Sequence, residues 1–246
     1  MSASSDSKHR KLVGSAIKSN AIELLRKYHK RGIDVSACSY RNNDATTEKS
    51  MVCAAFLGHI GVIKLLHELG CNVITMSSGF SPMLAASQGG HINAIRTLYK
   101  LGANVNTPDN KGFTPVYAAA SKGHVDAVRT LCELGADVNT PNNKGCTPVH
   151  AAATEGHEKV VTLLRKFGAK MDEQSDFGTA ADAAAKMGHT VIQAKLAKYN
   201  SCCANCVEAG TNVNLSLCSR CNSTYYCSAA CQKQDWKKHK LMCRDK

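Results

Sequence analysis

The sequence predicts an all-α repeat solenoid followed by a small cysteine-rich domain, and two observations support this prediction. The dipeptide Gly-His recurs at 58–59, 90–91, 123–124, 156–157 and 188–189, at steps of 32 or 33 residues. The 246-residue chain contains 13 cysteines, and eight of them lie between residues 202 and 243. A fixed period of this length is typical of stacked structural repeats, whereas a dense group of cysteines is typical of a domain held by metal ions or disulfides.

Each repeat has the features of a helical hairpin. Residues 111–143 read KGFTPVYAAASKGHVDAVRTLCELGADVNTPNN, and residues 144–176 follow the same pattern. The Thr-Pro pair predicts the start of a first helix, because Thr is a good N-cap and Pro is tolerated in the first turn. Gly-His then ends that helix, and apolar residues at spacings of three and four predict a second, amphipathic helix. The turn-rich segment 139–144 predicts a projecting hairpin.

These units resemble the ankyrin repeat, whose T-P-L-H-x-A core matches TPVYAA at 114–119 and TPVHAA at 147–152. The resemblance extends over residues 9–199 and implies helix pairs with β-hairpin loops. About four good units are expected between two degenerate end caps, because the first unit lacks Gly-His and the last is one residue short and more polar. Residues 1–8 are expected to form a flexible N-terminus.

The histidines and the scattered cysteines of the repeats are interpreted as structural. A histidine that recurs at one phase of a repeat is more often a hydrogen-bonding residue than a metal ligand. Cys53 and Cys71 stand where other units have small residues, and Cys132 lies on the packed second helix. We therefore expect these cysteines to be buried as small hydrophobic side chains.

The C-terminal segment contains four pairs of metal-ligand residues: Cys203 and Cys206, Cys218 and Cys221, Cys227 and Cys231, and His239 and Cys243. Tetrahedral structural zinc takes four cysteine or histidine ligands, so these pairs predict two closed Zn²⁺ sites. If residues 227–243 form one helix, Cys231 and His239 lie roughly 12 Å apart along its axis, too far for one zinc to hold both helical pairs. Each zinc should therefore bind one C-x2-C pair and one helical pair, in an interleaved or a nested arrangement.

The spacing C-x2-C…C-x2-C…YC-x3-CQ-x7-H-x3-C resembles the MYND finger over residues 203–243, within a domain spanning 200–246. MYND fingers interleave their two zinc ions. The resemblance therefore implies one site formed by Cys203, Cys206, Cys227 and Cys231 and a second formed by Cys218, Cys221, His239 and Cys243. It also implies a groove for short proline-containing segments, lined by Gln232 and Trp236. The alternative for Trp236 is a packing role that supports the finger.

The combined pattern predicts a non-catalytic adaptor that binds other proteins. Four protein ligands at each zinc leave no position for a reactive water, so the ions are expected to be structural. The repeats leave no room for a catalytic domain, which also argues against a relative of the lysine methyltransferases that contain MYND fingers. Ankyrin proteins usually meet partners at hairpin tips and inner helices. These positions correspond to Phe80, Asn110, Lys111, Phe113, Tyr117, Lys122, Asn143, Lys144, His150 and Glu155.

Nucleic-acid binding is the alternative function, because the formal net charge of the chain is +12. The first unit contains a group of basic residues: Lys8, Arg10, Lys11, Lys18, Arg26, Lys27, Lys30 and Arg31. The segment KKHK at 237–240 adds positive charge to the finger. Seven zinc-bound thiolates and two Zn²⁺ lower the net charge of residues 200–246 from +4 to +1, however, and few aromatic residues are present for base stacking.

The sequence also bears on the cellular location. No apolar stretch is long enough to cross a membrane, and the first residues lack the apolar segment of a signal peptide. We therefore expect an intracellular protein, either cytoplasmic or nuclear. We also expect it to be a monomer.

Overall fold

The computed structural model of the chain describes residues 3–38, 48–74, 76 and 79–201, together with two short strands at 216–217 and 225–226. The predicted zinc ligands and the predicted peptide-binding residues Gln232 and Trp236 lie outside the described residues.

Twelve helices in the described residues form six consecutive pairs, which we name units 1 to 6. The helices are Ala3–Lys18 (α1), Ile22–Lys30 (α2), Ser50–Phe56 (α3), Ile60–Glu68 (α4), Pro82–Gln88 (α5), Ile92–Lys100 (α6), Pro115–Ser121 (α7), Val125–Glu133 (α8), Pro148–Thr154 (α9), Glu158–Lys166 (α10), Ala180–Lys186 (α11) and Thr190–Ser201 (α12). Odd-numbered inner helices pack on one another, and so do even-numbered outer helices. The predicted all-α repeat solenoid is therefore confirmed.

Two antiparallel strand pairs are present in the described residues. Ala37–Cys38 (β1) pairs with Glu48–Lys49 (β2), and Ser216–Leu217 (β3) pairs with Tyr225–Tyr226 (β4). The tips of the loops before α7 and α9 are closed instead by a few backbone hydrogen bonds within each loop. The Asp109 N–H donates to the Phe113 carbonyl at 3.0 Å, and Asn142 and Cys146 make the equivalent contact at 2.9 Å. These loops project as predicted, but they are tight turns and not strand ladders.

The first helix begins inside the predicted N-terminal segment. Helix α1 starts at Ala3, within residues 1–8, and the flexibility of that segment stays a prediction. The physical reason is local: neither Gly nor Pro interrupts the chain before Gly14, and Asp6 lies near the positive end of the helix dipole.

Helix starts follow the predicted Thr-Pro chemistry. The Thr114 side chain accepts a hydrogen bond from the Tyr117 N–H at 3.3 Å, and Pro115 occupies the first turn of α7. Ser81 does the same for α5, by accepting from the Leu84 N–H at 3.1 Å. These caps satisfy backbone donors that have no partner within their own helix, and they fix the angle at which each loop enters its inner helix.

The recurring histidines connect successive units. In each case the ring Nε2 lies within hydrogen-bonding distance of a backbone carbonyl oxygen in the preceding unit. The acceptors are the carbonyls of Lys18 for His59 (3.2 Å), Phe56 for His91 (2.9 Å), Gln88 for His124 (3.0 Å), Ser121 for His157 (3.1 Å) and Thr154 for His189 (3.1 Å). The interpretation of these histidines as structural residues is confirmed.

The core runs continuously along the solenoid. Alanines fill the inner-helix layer, as with Ala119 and Ala120, while aliphatic side chains such as Val128 and Leu131 fill the outer-helix layer. Cys53 is only 2% exposed within this core, as predicted. Cys71 and Cys132 pack against the core while partly buried, and burial raises the pKa of the Cys132 thiol to about 12. No helix in the described part of the chain is long and apolar enough to cross a membrane.

We predict that Gly90→Ala destabilises the solenoid more than Gly135→Ala. Both glycines have positive φ, +70° and +90°, so alanine should cost about 1–2 kcal/mol at either position. A Cβ at Gly90 would also lie 2.7 Å from the His124 ring, whereas at Gly135 it would meet nothing within 4 Å. Overpacking should therefore add about 1–3 kcal/mol at Gly90 alone. Urea unfolding of the two variants measures the difference, and equal losses would contradict the tight contact with His124.

Candidate protein-binding surface

The loop tips and inner-helix ends of units 3 to 6 bring most of the predicted partner contacts onto one surface. We name this set the loop surface, and its members are Phe80, Lys111, Phe113, Tyr117, Lys122, Lys144, Glu155 and Phe177. Phe80 is 37% exposed, and the three lysines and Glu155 are exposed. Phe113 and Tyr117 are partly buried.

Phe113 and Tyr117 form a stacked aromatic pair. Their ring centroids are 4.6 Å apart and their planes are inclined by 16°. Phe113 is fixed by its backbone N–H, which donates to the Asp109 carboxylate at 2.8 Å. Tyr117 stands on the first turn of α7, and the Asn142 side-chain amide of the next loop donates to its hydroxyl oxygen at 3.5 Å. Burial is the main cause that raises the pKa of Tyr117 to about 12, so the hydroxyl is neutral at physiological pH.

A second aromatic feature lies further along the same surface. The Lys144 ammonium is 5.2 Å from the ring centroid of Phe177, in a cation–π arrangement. Phe177 is 55% exposed, and its loop is tied to the preceding one because the Asp176 N–H donates to the Lys144 carbonyl at 3.0 Å. Phe177 was not among the residues predicted from the sequence. An aromatic residue directly before Gly178, at the loop tip of the last unit, could have indicated a surface contact. That unit was interpreted only as an end cap.

His150 is not part of the surface, and its prediction as a partner contact is wrong. It is only 3% exposed, because its ring folds back over the start of α9. The Thr147 N–H donates to Nδ1 at 3.2 Å, so Nε2 carries the hydrogen and donates to the Gly178 carbonyl at 3.3 Å. Burial lowers the pKa of His150. The residue therefore caps one helix and links unit 5 to unit 6.

The basic residues of unit 1 are mostly exposed, but one of them is neutralised by an ion pair. Lys8, Lys27, Lys30 and Arg31 are exposed on α1 and at the end of α2. Arg26 is engaged in an ion pair with Glu68 of unit 2 at 3.1 Å. This pairing reduces the positive charge that unit 1 could offer to phosphates.

The described residues contain no group of three or more His, Cys, Asp or Glu side chains that could hold a metal ion. The eight predicted ligands between Cys203 and Cys243 lie outside them. Thiolates and imidazole are the donors that structural zinc prefers, so this donor set fits the metal. The pairing of β3 with β4 brings Leu217, just before Cys218, beside Tyr225, two residues before Cys227.

Family comparisons agree with the architecture. The model for ankyrin repeats (3 copies) matches residues 13–109, 50–142 and 83–175, and the model for the MYND finger matches residues 203–243. The ankyrin matches together cover more than half of the chain. The chain therefore belongs to the ankyrin repeat family and carries a MYND zinc finger after the repeats, from which zinc binding follows.

Individual relatives match over short segments. The human and mouse forms of Egl nine homolog 1 are 54% and 51% identical over 39 residues, which is 16% of this chain and 9% and 10% of those proteins. Human N-lysine methyltransferase SMYD2 is 55% identical over 29 residues, which is 12% of this chain and 7% of that protein. These matches lie in the MYND region. The chain thus spans a tenth or less of the length of these relatives, and the likeness concerns the finger alone.

We predict that His150→Gln makes the solenoid less sensitive to acid. The folded-state pKa of His150 is lowered, so the unfolded chain binds more protons once the pH falls below the ordinary value of about 6.5. The stability that the neutral ring contributes is present above that pH and is lost as the pH falls. Glutamine does not titrate, and losing the ring should cost about 1 kcal/mol at pH 7.5. Thermal unfolding at pH 7.5 and 5.5 measures the acid-induced loss, and an equal loss in both proteins would contradict a buried neutral His150.

Proposed function

We propose that this chain is a non-catalytic adaptor: the loop surface of the solenoid binds one set of proteins, and the two-zinc MYND finger binds proline-containing segments. The observation that carries the proposal is the pair of pre-arranged aromatic features on the loop surface, the Phe113–Tyr117 stack and the Lys144–Phe177 contact. Ankyrin repeats and MYND fingers are both protein-interaction modules, which supports the same function.

The aromatic side chains of the loop surface are held in place before a partner binds. Aromatic side chains contribute large contact area to protein interfaces, and hot spots are enriched in them. Stacking and the Asn142 hydrogen bond already restrict Tyr117 before a partner arrives, so little further rotamer entropy is lost on binding. The exposed Lys111, Lys122 and Lys144 add positive charge around these rings, which favours partners with acidic residues at the rim of the contact.

The absence of catalysis is inferred from the donor set of the finger. Two tetrahedral sites use all eight cysteine and histidine ligands, so no position is left for a bound water that could be activated. We propose the interleaved assignment, with Cys203, Cys206, Cys227 and Cys231 at one zinc and the other four ligands at the second. Gln232 and Trp236 then line the peptide groove.

We also propose that the adaptor acts as a monomer inside the cell, in the cytoplasm or the nucleus. Cys53, Cys71, Cys132 and Cys146 are thiols and not disulfides, which suits a reducing compartment.

We predict that the purified protein carries two zinc ions per chain and that paired Cys→Ser variants reveal which ligands share an ion. With interleaved sites, Cys206→Ser/Cys231→Ser should damage one site and retain one zinc. Its matched control, Cys206→Ser/Cys243→Ser, should damage both sites and lose both ions. Elemental analysis distinguishes these results, and a nested arrangement would reverse them.

Removal of zinc should unfold the finger and spare the solenoid, because metal binding supplies on the order of 10 kcal/mol of folding free energy per site while the repeats have their own core. Loss of all helical circular dichroism on chelation would contradict this independence.

We predict that Trp236→Ala weakens binding of a proline-containing peptide by about 2 kcal/mol, the range of an interface hot spot, and leaves the zinc content unchanged. A flat indole is a good platform for a proline ring, and the Gln232 amide can pair with the peptide backbone. Titration against a proline-containing peptide pool measures the loss. The matched control is Lys111→Ala/Lys144→Ala, which alters the loop surface and should keep peptide affinity.

The same titration separates peptide binding from nucleic-acid binding. Replacing Lys237, Lys238 and Lys240 together should have little effect on a neutral peptide but should abolish phosphate binding. A nucleic-acid pool titrated at two salt concentrations completes the comparison. Steep salt dependence together with indifference to Trp236→Ala would contradict the peptide proposal and favour nucleic acid.

A further inference from the structure

Unit 6 is the last repeat of the described solenoid, so the side of it that faces away from unit 5 has no neighbouring repeat. We name this side the end face. At the same phases in units 4 and 5, the residues either contact the next unit or are fully buried. The members of the end face are Phe177, through its carbonyl, and Asp182, Ala185, Lys186, Gly188 and Gln193.

Two positions of the end face show what kind of neighbour it suits. Ala153 of α9 and Val161 of α10 are 0% exposed within the stack. Ala185 and Gln193 lie thirty-two residues later, at the same phases, and both are exposed. Another ankyrin unit would bury the Gln193 amide among apolar side chains, which is costly for a polar group without a partner. The end face therefore suits a neighbour that is not a further repeat.

The end face also contains one half of the junction that joins the other units. Between units 5 and 6, the Thr154 carbonyl lies 3.1 Å from Nε2 of the His189 ring, and a Cβ at Gly156 would lie 2.7 Å from that ring. The equivalent groups of unit 6 are the Lys186 carbonyl and Gly188. No histidine follows His189 in the described part of the chain. The acceptor and the space beside it are thus present, and the donor has to come from elsewhere.

The segment that borders the end face is acidic. Residues 172–182 contain no basic residue, although the net charge of the chain is +12. Glu173 is paired with Lys170 at 2.7 Å, while the other three carboxylates are exposed. Hydrogen bonds from Thr179 lower the pKa of Asp182, which keeps its side chain ionised at neutral pH. The four acidic residues are Asp172, Glu173, Asp176 and Asp182.

The chain places the MYND finger beside this acidic segment. Helix α12 ends at Ser201, and the match to the finger begins at Cys203. Two residues span at most about 7 Å. Because α11 and α12 form a helical hairpin, the end of α12 lies where α11 begins, next to residues 172–182. A folded domain of the length of the finger is roughly 20 Å across, which is similar to the width of two packed helices.

The charge of the finger is opposite to that of the acidic segment. Residues 200–246 have a net charge of +4, or +1 when two Zn²⁺ and seven thiolates are counted. Their basic side chains can donate hydrogen bonds to Asp182 and to the carbonyls of Phe177 and Lys186. We propose that the MYND finger packs against the end face and caps the solenoid in place of a seventh repeat.

This cap couples the zinc sites to the last repeat. A neighbour that binds only the folded form of unit 6 stabilises that unit, and the finger is folded only when it holds its metal. Zinc binding therefore reduces the opening of α11 and of the loop before it. That loop carries Phe177, so the ordered finger also supports the C-terminal end of the loop surface.

Hydrogen exchange followed by mass spectrometry on the full chain tests this proposal. The amides of α11 report on the end face, whereas α12 is directly continuous with the finger. Removal of zinc from the wild type should speed exchange in α11 by roughly tenfold and leave α7 unchanged. Ala185→Arg places a long cation on the end face and should speed α11 to the same extent, with unchanged zinc content. Arginine is nearly as good a helix former as alanine, so α11 itself should tolerate the change.

The decisive comparison combines both changes. If the finger caps the end face, removal of zinc should have no further effect on α11 in Ala185→Arg. The matched control Asn93→Arg, at an exposed position of α6, should respond to zinc removal as the wild type does. Exchange in α11 that ignores zinc in the wild type, or that responds equally in Ala185→Arg, would overturn the proposal. Protection of α11 that rises with protein concentration would indicate a second copy on the end face and would also overturn it.

Discussion

The hydrogen bond from a histidine ring to the carbonyl of the preceding unit is the contact on which the register of the solenoid depends. The ring that makes this bond also lies against the glycine of the preceding Gly-His pair. A Cβ would lie 2.6 Å from the His91 ring at Gly58 and 2.6 Å from the His157 ring at Gly123. The same glycines have positive φ, which only glycine adopts easily. One contact therefore explains both residues of the dipeptide and the fixed spacing between units.

The binding surface follows from that register. Because neighbouring units keep the same offset, the loop tips project at regular intervals, and backbone hydrogen bonds such as Asn143 N–H to the Lys111 carbonyl at 3.1 Å hold them together. Aromatic and lysine side chains on those tips are then presented in a nearly fixed arrangement. The solenoid provides the spacing, and the sequence of the tips provides the chemistry that a partner recognises.

Much of the fold could be predicted from the period, the Thr-Pro starts and the Gly-His ends, because these are local signals repeated at one phase. Features that depend on contacts between residues far apart in the sequence could not be predicted in this way. His150 stands at the same phase as Tyr117 and was predicted as a partner contact, yet its ring caps α9 and reaches Gly178. The side-chain amides of Asn106 and Asn139 donate to the Gly135 and Gly168 carbonyls of the next unit at 3.2 Å. These links, and the exposed ring of Phe177, likewise became visible only when neighbouring loops were placed side by side. The pattern of the finger predicted its family, while Gln232 and Trp236 remain predictions.

The most direct measurement of the central claim, that the loop surface binds proteins separately from the finger, is quantitative affinity capture with three variants. Lys111→Ala/Lys144→Ala alters the loop surface, Trp236→Ala alters the finger, and Lys159→Ala/Lys166→Ala is a matched control on the exposed side of α10. The loop variant should lose proteins that the finger variant retains, and the control should retain both sets. Loss of the same proteins in the control, or no loss in the loop variant, would contradict the claim.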